Sequence, residues 1–302
     1  MVNTEVTIGK LTLKNPVMTA SGTFGYGEEY SEFVDLSRLG ALVVKGISLK
    51  PMEGNPPPRI SETPCGMLNA IGLQNIGLKK FINEKLPFIK GFDTCLIVNI
   101  LGRTIDEYVR LSTELEASGL SAIELNVSCP NVKSGGIEFG TSQKALGRLT
   151  RKVRKAFKGT LIVKLSPKVS DIREFARLSE AEGADAISLI NTVPAMAINI
   201  KTRMPVLSNV TGGLSGPAIK PIALRMVWEV ASAVKIPIIG MGGIMNASDA
   251  IEFILAGATG VAVGTSNFRN PASVIEIIDG IESYMRENGI KHIKELIRGI
   301  IC

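Results

Sequence analysis

An eightfold alternation of short apolar runs with stretches of helical periodicity constrains this chain more than any other feature. The runs occupy residues 16–21, 41–48, 95–101, 122–130, 161–167, 186–192, 236–243 and 260–266. Each is β-rich and apolar at nearly every position, the pattern of a strand buried on both faces. Helical signals lie between them. Thr104-Ile-Asp-Glu107 has the spacing of a capping box ahead of Leu111 and Leu115, and Gly119 is its stop. Ser170-Asp171 starts a helix ending near Gly183, and Asn246 starts another that stops at Gly257. Pro217 and Pro271 stand where first-turn prolines are tolerated. Parallel strands need such crossovers, so eight βα units predict an α/β fold, a (β/α)8 TIM barrel, as a single domain over 1–302. An open doubly wound sheet is the alternative, but no G-x-G-x-x-G follows the first run. Residues 4–13, with a turn at Gly9-Lys10, predict a small hairpin at the barrel bottom.

Composition removes several function classes. With 45% apolar and 21% charged residues, the chain is globular and core-rich rather than disordered. No apolar run approaches the roughly 18 residues of a membrane span, and the first ten residues lack a signal-peptide core, so a soluble cytoplasmic protein is expected. Cysteines at 65, 95, 129 and 302 form no CxxC and have no paired histidine, which speaks against zinc, an iron–sulfur cluster or a disulfide framework within this chain. The net charge of +6 invites a nucleic-acid reading, yet its basic residues are interleaved with acids and there is one Trp. The surplus is better matched to an anionic cofactor or substrate.

In a barrel, the loops after the strands form the active face. Those at 49–75, 130–140 and 193–215 are long, rich in Pro, Gly and Asn, and lack helical periodicity, so they are candidate lids. Two strands contain a lysine, Lys45 and Lys164. Burying an ammonium is costly without an anion, so the pair predicts one anionic ligand in the barrel mouth. Gly240-Met-Gly-Gly243 follows the seventh run and Gly264-Thr265 the eighth, with Gly212, Gly213 and Gly216 extending the rim. Glycines there let backbone N–H groups approach a phosphate. Asn69, Asn99, Asn126, Asn131 and Asn191 add amides suited to a ring with alternating C=O and N–H groups, such as a pyrimidine or an isoalloxazine. Cys129 ends the fourth run before Pro130. A free thiol is only slightly ionised at neutral pH, and a nearby cation raises that share. A nucleophilic cysteine normally works with a histidine, and the one histidine, His292, sits in the charged C-terminal segment, where it reads as a surface helix residue. Base is therefore the favoured role for Cys129.

Taken in order, these segments resemble the class 1 dihydroorotate dehydrogenases nearly end to end. The matching motifs are Ala20-Ser-Gly-Thr-Phe-Gly-Tyr-Gly27, Val44-Lys-Gly46, Met67-Leu-Asn-Ala-Ile-Gly-Leu-Gln-Asn75 and Asn126-Val-Ser-Cys-Pro-Asn131. Asn191-Thr192, Gly212-Gly-Leu-Ser-Gly-Pro217, Gly240-Met-Gly-Gly243 and Val263-Gly-Thr265 continue the series. The resemblance implies oxidation of dihydroorotate to orotate, in pyrimidine biosynthesis, through bound FMN. It assigns the flavin to Ser21, Lys45, Gly46, Asn99, Asn126, Lys164, Ile190, Gly216, Gly242, Gly243, Gly264 and Thr265. It assigns the substrate to Lys45, Asn69, Ala70, Ile71, Gly72, Leu73, Asn126, Asn191 and Thr192, with Asn131 as a further contact. Cys129 falls on the family's base, which takes the C5 proton while hydride passes from C6 to flavin N5. A serine there, with an N-terminal extension, would mark the membrane-associated class 2. The Thr23-Phe-Gly-Tyr-Gly27 stretch is most like the NAD-linked type 1B catalytic subunit rather than the fumarate-linked type 1A. That type works with an electron-transfer subunit carrying FAD and a [2Fe–2S] cluster, as a homodimer of the catalytic chain within a heterotetramer. Closure of the 130–140 loop over Cys129 is a further expectation from Gly135-Gly136. Two rivals remain: a class I aldolase using Lys164 for a Schiff base, and a tRNA-reducing flavoenzyme or RNA-binding barrel. The second would be expected to carry an RNA-binding domain, whereas about 35 residues follow the last run.

Overall fold

The computed structural model describes residues 2–127 and 139–301. Eight parallel strands close into a barrel: Val17–Thr19, Ala41–Ile47, Cys95–Ile100, Ala122–Asn126, Thr160–Lys164, Ala186–Leu189, Ile238–Met241 and Gly260–Val263. They are called the first to eighth strands below. Each pairs with the next in sequence, and the eighth pairs with the first through Val261↔Val17 and Ala262↔Met18. That last pairing excludes the open sheet. Seven strands begin and end within the expected runs and the fifth begins one residue early, at Thr160, while the runs outlast the strands because hydrophobicity continues into the connections. The seventh starts late, since Pro237 has no N–H to give a ladder.

Most helix signals act as the sequence suggested, but Pro271 falls ahead of the N-cap Ala272 rather than in the first turn of Ser273–Glu287, and one capping box is incomplete. Asp171 accepts from Arg173 N–H at the start of Ile172–Ala181, and Asn246 accepts from Asp249 N–H at the start of Ala247–Leu255. Thr104 caps Ile105–Ala117 by accepting from Glu107 N–H at 3.2 Å. The reciprocal half of that capping box is absent: the Glu107 carboxylate accepts from Arg103 N–H instead, at 2.6 Å. His292 is exposed, as expected, but its backbone is extended (φ −129°, ψ 132°), ahead of the short 3-10 turn Ile293–Glu295.

Val6–Ile8 and Leu11–Leu13 form the N-terminal hairpin around the Gly9-Lys10 turn. Lys10 N–H donates to Thr160 Oγ1 at 2.9 Å, which ties the turn to the start of the fifth strand. The hairpin thus covers the bottom, and its buried Val6, Ile8, Leu11 and Leu13 extend the core.

The upper end departs from expectation. The loops after the second and sixth strands are not separate irregular lids. They supply Ile60–Thr63 and Gly66–Asn69 from one, Val193–Ala195 and Gly212–Ser215 from the other, joined as one four-stranded antiparallel sheet. Strand pairing across two loops satisfies backbone groups that neither could satisfy alone. Leu68, Ala70 and Leu207 make a small second core there.

Candidate functional site

The C-terminal ends of the barrel strands open into a cavity of about 450 Å³, bounded on its other side by the four-stranded sheet. This volume lies within the usual range for small-molecule sites, roughly 300–1,000 Å³. Ser21 comes from the end of the first strand, Lys45 and Gly46 from the second, Asn99 from the third, Asn126 from the fourth and Lys164 from the fifth. Ile190, Asn191 and Thr192 follow the sixth, Gly242 and Gly243 the seventh, and Gly264 and Thr265 the eighth. Asn69, Ile71, Gly72, Leu73 and Gly216 line the opposite wall.

Ala70 is placed differently from its neighbours in that motif. It does not line the cavity: it is 1% exposed and packs into the small core with Leu68 and Leu207. Successive residues of extended chain face opposite ways, so Asn69 and Ile71 turn inward and Ala70 turns out. Its carbonyl accepts from Asn55 Nδ2 and its N–H donates to the Arg59 carbonyl, both at 2.8 Å. Cys129 and Asn131 lie outside the described residues, as does 130–138 of the candidate lid. On the fourth-strand side, the Asn126 carbonyl accepts from Tyr108 Oη at 2.7 Å. Phe139 packs edge-on against that same Tyr108 ring. Cys65 and Cys95 do not line the cavity.

Sequence reasoning missed two important side chains. Arg59 reaches the cavity and donates to Gln74 Oε1 at 2.6 Å. An arginine in a proline-rich loop carries no signal of its own. Glu124 lies behind the wall, 2% exposed. It accepts from Asn99 Nδ2 at 2.6 Å and Ser188 Oγ at 2.7 Å, and stands 3.8 Å from Lys164 Nζ. The signal was present, since a carboxylate inside an apolar run is as costly to bury as an ammonium.

The described lining carries three cations, Lys45, Arg59 and Lys164, and no carboxylate. Lys164 is 4% exposed and paired to Glu124, and its Nζ donates to Ser21 Oγ at 3.1 Å. Lys45 is half-buried, and burial followed by the Arg59 charge pushes its pKa below the ordinary lysine value, against a smaller opposing pull from Glu29. The protein thus leaves a deficit of negative charge at Lys45 and Arg59. Asn99 Oδ1 is buried with no partner among the described residues, and a Cβ on Gly46 would come within 2.8 Å of it. At the far rim, Gly243 has φ +81°, and a Cβ there would sit 2.9 Å from the Gly216 carbonyl. Only glycine allows this close approach of two rim segments. Among the described residues, no three His, Cys, Asp or Glu side chains are grouped to hold a metal. No described helix is long and apolar enough to cross a membrane.

A family model described as Dihydroorotate dehydrogenase matches residues 3–285. A protein of Trichlorobacter lovleyi is 60% identical over 294 residues, 97% of each chain. One of Thermoanaerobacter sp. (strain X514) is 58% identical over 296 residues, 98% of each chain. One of Bacteroides fragilis (strain ATCC 25285) is 56% identical over 298 residues, 98% of each chain. All three are named dihydroorotate dehydrogenase B (NAD(+)), catalytic subunit. The aldolase and RNA-directed readings fall away, and with the match running over almost its whole length, this chain belongs to the dihydroorotate dehydrogenase family.

Proposed function

We propose that residues 1–302 act as one FMN-binding barrel domain that oxidises dihydroorotate to orotate, as the catalytic subunit of an NAD-linked enzyme in the cytoplasm. The observation that carries this reading is the cavity lining: three cations, no described carboxylate, and amides from Asn69, Gln74, Asn99, Asn126 and Asn191. A polar ring bearing an anionic group fits such a surface.

The residues fit a flavin. The unpartnered Asn99 Oδ1 is an acceptor for a ring N–H, and the rim of Gly216, Gly242, Gly243, Gly264 and Thr265 suits a phosphate. Ser21, Lys45, Gly46, Asn126, Lys164 and Ile190 complete its site. Bound FMN supplies the acceptor for the hydride that leaves the substrate. Lys45 and Arg59 draw in the substrate's carboxylate, while Asn69, Asn126, Asn191 and Thr192 orient its ring beside Ile71, Gly72 and Leu73. Ala70 stands in the same substrate-binding turn, with its side chain packed in the small core. Asn131 adds a contact, and Cys129 takes the C5 proton as general base. The described cysteines offer no cluster of ligands for iron. Electrons leave through a partner subunit carrying FAD and a [2Fe–2S] cluster, with this chain as a homodimer in a heterotetramer.

Purified chain should be yellow and release FMN on denaturation. Dihydroorotate oxidation coupled to NAD⁺ should need the partner subunit. Efficient turnover of the isolated chain with fumarate would sink the NAD-linked reading.

A further inference from the structure

We propose that Glu124 is a positioning residue that sets the reduction potential of the flavin by balancing the charge of Lys164; this rests on the flavin site proposed above. Glu124 and Lys164 are both almost wholly buried and stand 3.8 Å apart at the cavity wall. Two buried charges of opposite sign leave this wall neutral overall. Lys164 alone would be a buried cation facing the ring.

The carboxylate is fixed in place. It takes hydrogen bonds from Asn99 Nδ2 on the adjacent third strand and from Ser188 Oγ on the sixth, two strands away, while Lys164 is held by Ser21 Oγ. Because an ionised carboxylate only accepts, Asn99 must turn its amide nitrogen toward Glu124. That leaves Asn99 Oδ1 as the unpartnered acceptor beside Gly46 and the cavity. One buried acid therefore governs two of the groups that meet the flavin.

Hydride transfer from dihydroorotate brings two electrons and one proton to the ring, which gains one negative charge. A cation at the wall favours that gain and a balancing anion moderates it. Glu124 thus holds the potential lower than Lys164 alone would.

Flavin-loaded wild type and variants are titrated for midpoint potential near neutral pH, with thermal unfolding followed in parallel. Glu124→Gln should raise the potential, by about 30 mV for a tenfold shift in the two-electron equilibrium. Lys164→Gln should lower it, and the double variant should return toward wild type. Opposite signs that cancel are an electrostatic signature that general loosening of the site does not give. Should Glu124→Gln fail to yield flavin-loaded protein, Glu124→Asp decides, with a smaller rise expected. An unchanged or lowered potential in the deciding variant overturns the proposal while leaving the flavin site standing. A wild-type chain that binds no flavin overturns both.

Discussion

The two strand lysines of the cavity have the same chemistry and opposite circumstances. On the fifth-strand side, Lys164 is enclosed and paired with Glu124. On the second-strand side, Lys45 is half-buried beside Arg59, and its charged form is disfavoured. The first cation is balanced from within. The second has no carboxylate paired with it among the described residues. A barrel mouth can therefore hold one cation as part of its architecture and another as a binding device, and burial alone does not say which is which.

The largest effect should come from neither lysine. Cys129→Ser should slow flavin reduction by dihydroorotate about 10²–10⁴-fold while flavin content stays the same. Stopped-flow reduction checks this, and an unchanged rate would remove the base from Cys129. Such a result would leave the lysines to explain catalysis, for which neither geometry suffices.

Stability separates the lysines next. Glu124→Ala strands Lys164 as a buried, unpaired cation and should cost about 3–5 kcal/mol in urea unfolding. Lys45→Met removes a cation the fold already disfavours, so its unfolding midpoint should hold or rise while orotate binding weakens. Equal losses of stability in both variants would break the comparison.

The smallest effect is on pH. The folded pKa of Lys45 lies below its unfolded value, so between the two the unfolded chain binds more protons. Its contribution to stability therefore rises with pH across that window. Orotate binding runs the other way, weakening as pH rises through the folded pKa, because the neutral amine cannot pair with a carboxylate. Arg59→Gln relieves part of the shift and should move this binding limb to higher pH. Isothermal titration of orotate against pH reads it, and a limb that stays in place would detach Arg59 from Lys45.

How far the sequence carried the reading differs from residue to residue. Ser21, Lys164 and Gly243 were legible because each ends a strand on the face where barrels bind ligands. The packing of the Ala70 side chain into the small core was not legible, because a motif carries no record of which way each residue of an extended turn points. Glu124 went unremarked although it sits in the fourth run. Its partners Asn99, Lys164 and Ser188 lie 25, 40 and 64 residues away and meet it only through strand register, in which Asn99↔Glu124 and Ser188↔Lys164 are cross-strand pairs.

By itself the sequence determined the barrel, since eight two-sided apolar strands separated by crossovers have few other ways to bury their faces. It also determined the chemistry at the strand ends, because that follows from residue type and order. Tertiary structure alone decided that loops more than a hundred residues apart share one sheet, and that one lysine is balanced by an internal acid while the other is left in deficit. Those outcomes depend on register and closure, which are set by the packing of the whole core rather than by any local run of residues.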